Sequence, residues 1–288
     1  MDSATSVFDS GKGDLADEPL GAESNFSDLP MVDPTRPRPR YKPLKAWHHF
    51  RNLVRDKENT GEVFHIFESL PWKGLFPSAE KFLTSDAGQR LRATERYLPA
   101  ILDDHARLRA MPKGSLAQAY CDFMESEGLT AQGLVDEFES FVKARGNFKD
   151  QFGWYMNRIR DTHDLLHVLT GYGRDALGEQ CVLAFTYGQQ PAPAHLFIAY
   201  AGVFEIRKQV KSRAPLFRAV REGQRMGTAC PRLAEQPVLD LLPLPIEEAR
   251  KRLNITLPAF YRECHRIWRE MGIDPYQVIR PQHIADAA

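Results

Sequence analysis

The chain has 288 residues, 38 basic against 38 acidic side chains, a formal net charge of zero and 43% hydrophobic residues. That balance excludes a bulk electrostatic pull toward nucleic acid, and the apolar content suffices for one sizeable core. Cys121, Cys181, Cys230 and Cys264 are widely spaced and form no C-x-x-C, so they read as buried thiols in a reducing compartment, neither a disulfide framework nor a thiolate metal site.

Residues 1–34 hold eight acidic side chains and one lysine. They bury too little apolar surface to fold and read as a disordered acidic tail. Arg36-Pro-Arg-Pro-Arg40 follows as a stiff basic linker, so residues 1–40 form tail and linker and 41–288 one helical domain. The N-terminus lacks the basic start and apolar core of a secretory signal, and the Arg-rich, acid-poor pattern of a mitochondrial transit peptide. No apolar run reaches the ~18–20 residues of a membrane span. The expectation is a cytoplasmic protein, soluble or peripheral on a membrane.

From Tyr41 the pattern is helical. Leu44, Trp47, Phe50, Leu53 and Val54 repeat at helical spacing, with Lys42, Lys45, Arg51 and Arg55 on the polar side. Such a helix suits either an anionic membrane surface or ordinary packing. Further helices are predicted near Val63–Leu70, Ala79–Leu83, Gln89–Leu98 and up to Met111. Ser115 is a candidate N-cap for the segment Leu116–Met124, and Thr130 opens another with Leu134, Phe138 and Phe141 on its face. Phe152–Thr170 is predicted as one helix. Asp175 can cap the next, which carries Glu179. An apolar helix over Ala194–Ile206 could wall a channel for an apolar ligand with Leu196, Phe197, Ile198, Tyr200, Val203 and Phe204, or be core. Its basic continuation, Arg207 to Arg225, could face anionic headgroups or water. Prolines punctuate residues 231–245, Ile246-Glu247-Glu248 starts a helix ending before Asn254, and a last helix lies near Pro258–Met271. Period-2 runs are scarce, so the fold class is all-α: a single multi-helix domain with its site on a central helix.

That site is His163-Asp164-Leu165-Leu166-His167 with Glu179 twelve residues on. Histidines four apart share a helix face. Asp164 adjoins the first of them, and Gly171, Gly173 and Gly178 let the chain return Glu179. Two imidazoles and two carboxylates fit a closed tetrahedral zinc site or a more open one with bound water. Arg160, one turn before Asp164, could orient that carboxylate or bind a substrate anion. The bland alternative is a solvated helix side with an Arg160–Asp164 pair. A third possibility is a variant H-E-x-x-H hydrolase helix with Asp164 as general base.

Arg158-Ile-Arg-Asp-Thr-His-Asp-Leu-Leu-His-Val-Leu-Thr-Gly171, followed by Leu177-Gly178-Glu179, resembles the coenzyme Q biosynthesis protein 4 family. Gly114–Met124 and Leu244–Ile255 are similar to two more of its segments. The resemblance implies an all-helical protein of ubiquinone biosynthesis with a divalent metal, usually zinc, on His163, Asp164, His167 and Glu179; iron, cobalt or manganese suit the same donors. It implies a metal-dependent carbon–carbon lyase that removes the C1 carboxyl of a polyprenylated 4-hydroxybenzoate, in some accounts with hydroxylation at C1. Asp164 and Arg160 are the expected catalytic residues. The alternative is a prenyl-lipid-binding scaffold for other ubiquinone-biosynthesis proteins, with a structural metal. Further implications are a homodimer and peripheral contact with the inner membrane, here at its cytoplasmic face as in a bacterial-type member. The acidic tail departs from mitochondrial members.

Overall fold

The computed structural model describes residues 29–56, 59–142 and 148–278. Most of the predicted tail and the loose C-terminal end lie outside the described residues. Those described form sixteen α-helices. The first eight are α1 (Pro43–Arg55), α2 (Thr60–Ser69), α3 (Leu75–Leu83), α4 (Asp86–Thr94), α5 (Leu98–Leu102), α6 (His105–Arg109), α7 (Leu116–Glu127) and α8 (Ala131–Val142). Then come α9 (Gln151–Asp161), α10 (His163–Thr170), α11 (Ala176–Gln189), α12 (Pro193–Gln209), α13 (Leu216–Ala229), α14 (Val238–Leu241), α15 (Ile246–Arg252) and α16 (Ala259–Glu270). The fold is all-α, as the sequence predicts.

Helix starts follow local chemistry. Ser115 accepts the Gln118 amide and starts α7. Asp150 accepts the Gly153 amide at α9, and Asp175 accepts those of Leu177 and Gly178 at α11. Each cap satisfies donors that a helix N-terminus leaves unpaired. Gly128 and Gly171 end α7 and α10 in the left-handed conformation, where a Cβ would be strained.

Helix α11 is the centre of the core. Leu177, Cys181, Val182, Ala184 and Phe185 are fully buried, because α12 and α13 cover different faces of it. Close approach to α13 depends on glycine: a Cβ on Gly227 would lie 1.9 Å from the Phe185 carbonyl oxygen. Smaller apolar clusters join α3 and α4 to α9, and α1 and α2 to α12.

Three expectations need revision. The predicted helix Phe152–Thr170 is two, α9 and α10, parted at Thr162. The Thr162 hydroxyl donates back to the carbonyls of Arg158 and Ile159, a bond that bends helices. The supposed channel wall on α12 is packed. Phe197 meets Trp47 and Phe50, Ile198 and Val203 are core, Tyr200 stacks on Phe217, and the exposed Phe204 meets Phe217 edge-on. Part of the tail and linker is docked: the Asp33 amide and the Arg36 guanidinium both donate to Asp150, the cap of α9.

Buried Arg158 ties α9 to the proline-rich loop. It donates to the carbonyls of Ala234 and Gln236 and lies 2.5 Å from Glu95. Glu95 in turn accepts the Leu239 amide. One ion pair, 2% and 1% exposed at its two side chains, thereby anchors residues 234–239 beneath α9.

Candidate metal centre

His163 opens α10 and His167 lies one turn later, so both rings project from one side. Gly171 stops the helix, the chain turns through Tyr172 and Gly173, and Asp175 restarts it as α11. Glu179 comes back in the first turn of α11. A Cβ on Gly178 would lie 1.9 Å from the Gly173 oxygen, so that return requires glycine.

The three donor atoms converge. His167 Nε2 is 3.3 Å from His163 Nε2, and Glu179 Oε2 is 3.6 Å from the former and 3.8 Å from the latter. Donors held at about 2.0–2.1 Å around a tetrahedral ion stand roughly 3.3–3.5 Å apart, close to these spacings. The His167 Nδ1 lies 3.0 Å from the Tyr172 carbonyl oxygen, which can only accept. Nδ1 therefore carries the proton and Nε2 turns its lone pair into the cluster, the orientation a metal ligand needs. The residues fit a divalent cation held by two imidazoles and one carboxylate.

Charge agrees with that fit. Burial opposes the charged form of Glu179, yet the two imidazoles win and hold its carboxyl well below the usual range. Burial likewise opposes charge on His167, but Glu179 and the Tyr172 carbonyl raise its pKa above the ordinary 6.5. Each partner favours the charged form of the other. His167 is sealed at 0% side-chain exposure under the Phe123 ring, while His163 and Glu179 are 32% and 31% exposed. The cluster is closed behind and open in front.

Asp164 is buried next to this cluster and adds to the charge that raises His167. Its oxygens are not among the ligand atoms that lie mutually within 4.8 Å, which come from His163, His167 and Glu179. Arg160 bonds Asp161 at 2.8 Å, not Asp164, and lies over the Phe138 ring. The break at Thr162 removes the continuous helix that an i,i+4 pair assumed. Burial pushes the Asp161 carboxyl up to about 6 despite Arg160.

Two features escaped the sequence. Arg174, in the turn before α11, has its Nε 3.7 Å from Glu179 Oε1 and its Nη1 3.9 Å from Glu127 Oε2. A cavity of about 430 Å³ reaches His167, bordered by Phe123, Glu127, Gly173, Tyr261 and Tyr276. The sequence contained Arg174 but gave no sign that Glu127, on α7, would meet it. A second triad, His105, Cys121 and Glu125, also brings ligand atoms within 4.8 Å. There Arg109 already pairs with Glu125 at 2.7 Å and with Asp122, and burial raises the pKa of the Cys121 thiol, so the carboxylate of this triad already has a cationic partner.

Fold and cluster define a class: an all-helical protein whose H-x-x-x-H helix and returning glutamate build a two-imidazole, one-carboxylate centre. Residues 79–259, which include all of that centre, match the family described as coenzyme Q (ubiquinone) biosynthesis protein Coq4. The chain belongs to this family. The mitochondrial ubiquinone biosynthesis protein COQ4 homolog of Danio rerio is 30% identical over 125 residues, 42% of this chain and 44% of its own. The Anopheles gambiae homolog is 27% identical over 185 residues, 61% of this chain and 60% of its own. The match to COQ4 homolog 2 of Culex quinquefasciatus spans 43% of that protein, so the chain covers less than half the length of several curated relatives. A crystallised chain from Nostoc punctiforme, provisionally assigned to ubiquinone biosynthesis, shares the fold with a TM-score of 0.55. It is 22% identical, and the superposition covers 74% of this chain and 98% of that one.

Proposed function

We propose that the protein is a metal-dependent carbon–carbon lyase of ubiquinone biosynthesis, acting on a polyprenylated 4-hydroxybenzoate. The observation that carries this reading is the three-donor cluster with an open front. A closed four-donor cluster would favour a structural metal in a scaffold; three converging donors leave a coordination position for substrate or water. Zinc, iron, manganese and cobalt all suit two imidazoles and a carboxylate.

His163, His167 and Glu179 would hold the ion, which when bound supplies Lewis-acid stabilisation of anionic oxygen. The Tyr172 carbonyl fixes the tautomer of His167. Asp164 contributes negative charge beside the rings. In the reaction the bond between C1 and the carboxyl breaks, carbon dioxide leaves, and the bonding pair takes up a proton at C1. In an oxidative variant a hydroxyl from water replaces the carboxyl, carbon dioxide leaves, and dioxygen takes up the two electrons and two protons released and departs as hydrogen peroxide.

The exterior suits a membrane-bound substrate. No helix among the described residues is long and apolar enough to cross a membrane. Leu44 and Trp47 stand 86% and 51% exposed on α1, beside exposed Lys42 and Lys45. That composition favours an anionic lipid surface. The direct test is carbon dioxide release from a prenylated 4-hydroxybenzoate by protein loaded with zinc, manganese or iron, with and without dioxygen. Release that Glu179→Gln abolishes supports the lyase. No release under any loading, with intact metal, returns the protein to the scaffold reading.

A further inference from the structure

We propose that Arg174 is the anchor for the carboxylate of the molecule bound at the metal centre. The inference rests on the lyase reading for the identity of that molecule. The anion-binding role itself follows from Arg174 and its surroundings.

Arg174 is 39% exposed and stands on the open front of the cluster. Its nearest carboxylates, Glu179 at 3.7 Å and Glu127 at 3.9 Å, both lie beyond hydrogen-bonding distance. Among the described residues its planar fork of donors is thus held in place by charge without being consumed. Guanidinium groups in this condition match carboxylates two bonds at a time.

Glu179 presents its two oxygens in different directions. Oε2 faces the two imidazoles and Oε1 faces Arg174. Glu179 thus links the imidazole pair to the guanidinium, and an anion seated between them would meet both. The binding position is also next to the cavity, since Glu127 and Gly173 border it while Arg174 adjoins both in space and sequence. The cavity is lined by His167 of the cluster and by Glu127, the carboxylate 3.9 Å from Arg174, so an aromatic acid seated there lies between the two. Arg160 cannot fill this role, because Asp161 and Phe138 occupy it.

The test measures binding of two probes, 4-hydroxybenzoate and the neutral 4-hydroxybenzyl alcohol, to the full zinc-loaded chain by NMR titration. Zinc content is determined on the same samples. In Arg174→Gln the acid should bind at least about 10-fold more weakly while the alcohol changes less than about 2-fold, with zinc retained. Arg174→Lys should recover part of the loss, as a point charge without the fork. Equal weakening of both probes, unchanged acid binding in Arg174→Gln, or no acid binding to the unaltered chain would each overturn the anchor. If the unaltered chain holds no zinc yet Arg174→Gln still loses the acid selectively, the anchor stands and the metal reading fails.

Discussion

The Nδ1 of His167 lies 3.0 Å from the carbonyl oxygen of Tyr172, in the turn that links the two helices of the candidate metal centre. This bond makes the turn part of the candidate site. It sets the tautomer of a fully buried imidazole and aims Nε2 at His163 and Glu179. The backbone thus does the work that a second carboxylate does in many histidine-ligated sites.

Glu179 is the cleanest place to break the centre, since it is partly exposed and lies at the start of a long, well-capped helix. Glu179→Gln should lower zinc affinity by at least about 100-fold and change stability by about 1 kcal/mol or less. Competition with a chelating dye and a urea titration on the same preparation measure both. Unchanged affinity would remove Glu179 from the ligand set.

Metal binding should depend on pH through His167. Its folded pKa is raised above 6.5 in the metal-free chain, so protons compete for the ring at a higher pH than for an ordinary histidine. A metal needs the neutral ring, so affinity is constant at higher pH and falls once pH drops through that raised pKa. The fall reaches about tenfold per unit for one proton. Glu179, held below the usual carboxylate range, stays charged across that window and does not contribute. Zinc affinity measured from pH 8 to 5.5 tests this, and a flat profile contradicts it.

The buried Arg158–Glu95 pair predicts an asymmetric outcome. Arg158→Met leaves Glu95 charged in the interior and frees the Ala234 and Gln236 carbonyls, and should cost about 3–5 kcal/mol. Adding Glu95→Gln should restore part of it, because the uncompensated charge is gone. Urea unfolding of single and double variants gives the comparison.

Packing of α11 on α13 makes a separate prediction. Gly227→Ala would drive a Cβ to within 1.9 Å of the Phe185 oxygen and should destabilise by at least about 2 kcal/mol. Gly128→Ala, at φ 65° with open space around it, should cost only about 1 kcal/mol from backbone strain. Thermal unfolding of the two side by side separates steric contact from conformational cost.

Much of this fold was legible in the sequence because its signals are local. Ser115 and Asp175 cap the helices they were expected to cap, and the apolar run after Pro193 is a helix. The chain after Leu253 leaves α15 through Asn254 at φ 55°. The convergence of His163, His167 and Glu179 was legible for the same reason, being set by helical spacing and a glycine-bearing turn. Asp164 adjoins the histidines in sequence without sharing their face. At ~100° per residue it points about 100° from His163 and 60° from His167, while the two histidines differ by only about 40°. The break at Thr162 was hidden because a hydroxyl bonding back to its own helix leaves no mark in hydrophobic periodicity. Arg174 was hidden because Glu127, 47 positions earlier, reaches it only through the packing of α7 against α10.

The most direct test of the central claim is the metal content of the purified full chain, with Glu179→Ala beside it. The cluster predicts close to one divalent ion per chain, lost in the variant while the helical signal persists. No ion in the unaltered chain after exposure to zinc, iron, manganese and cobalt, or equal content in both proteins, would contradict it.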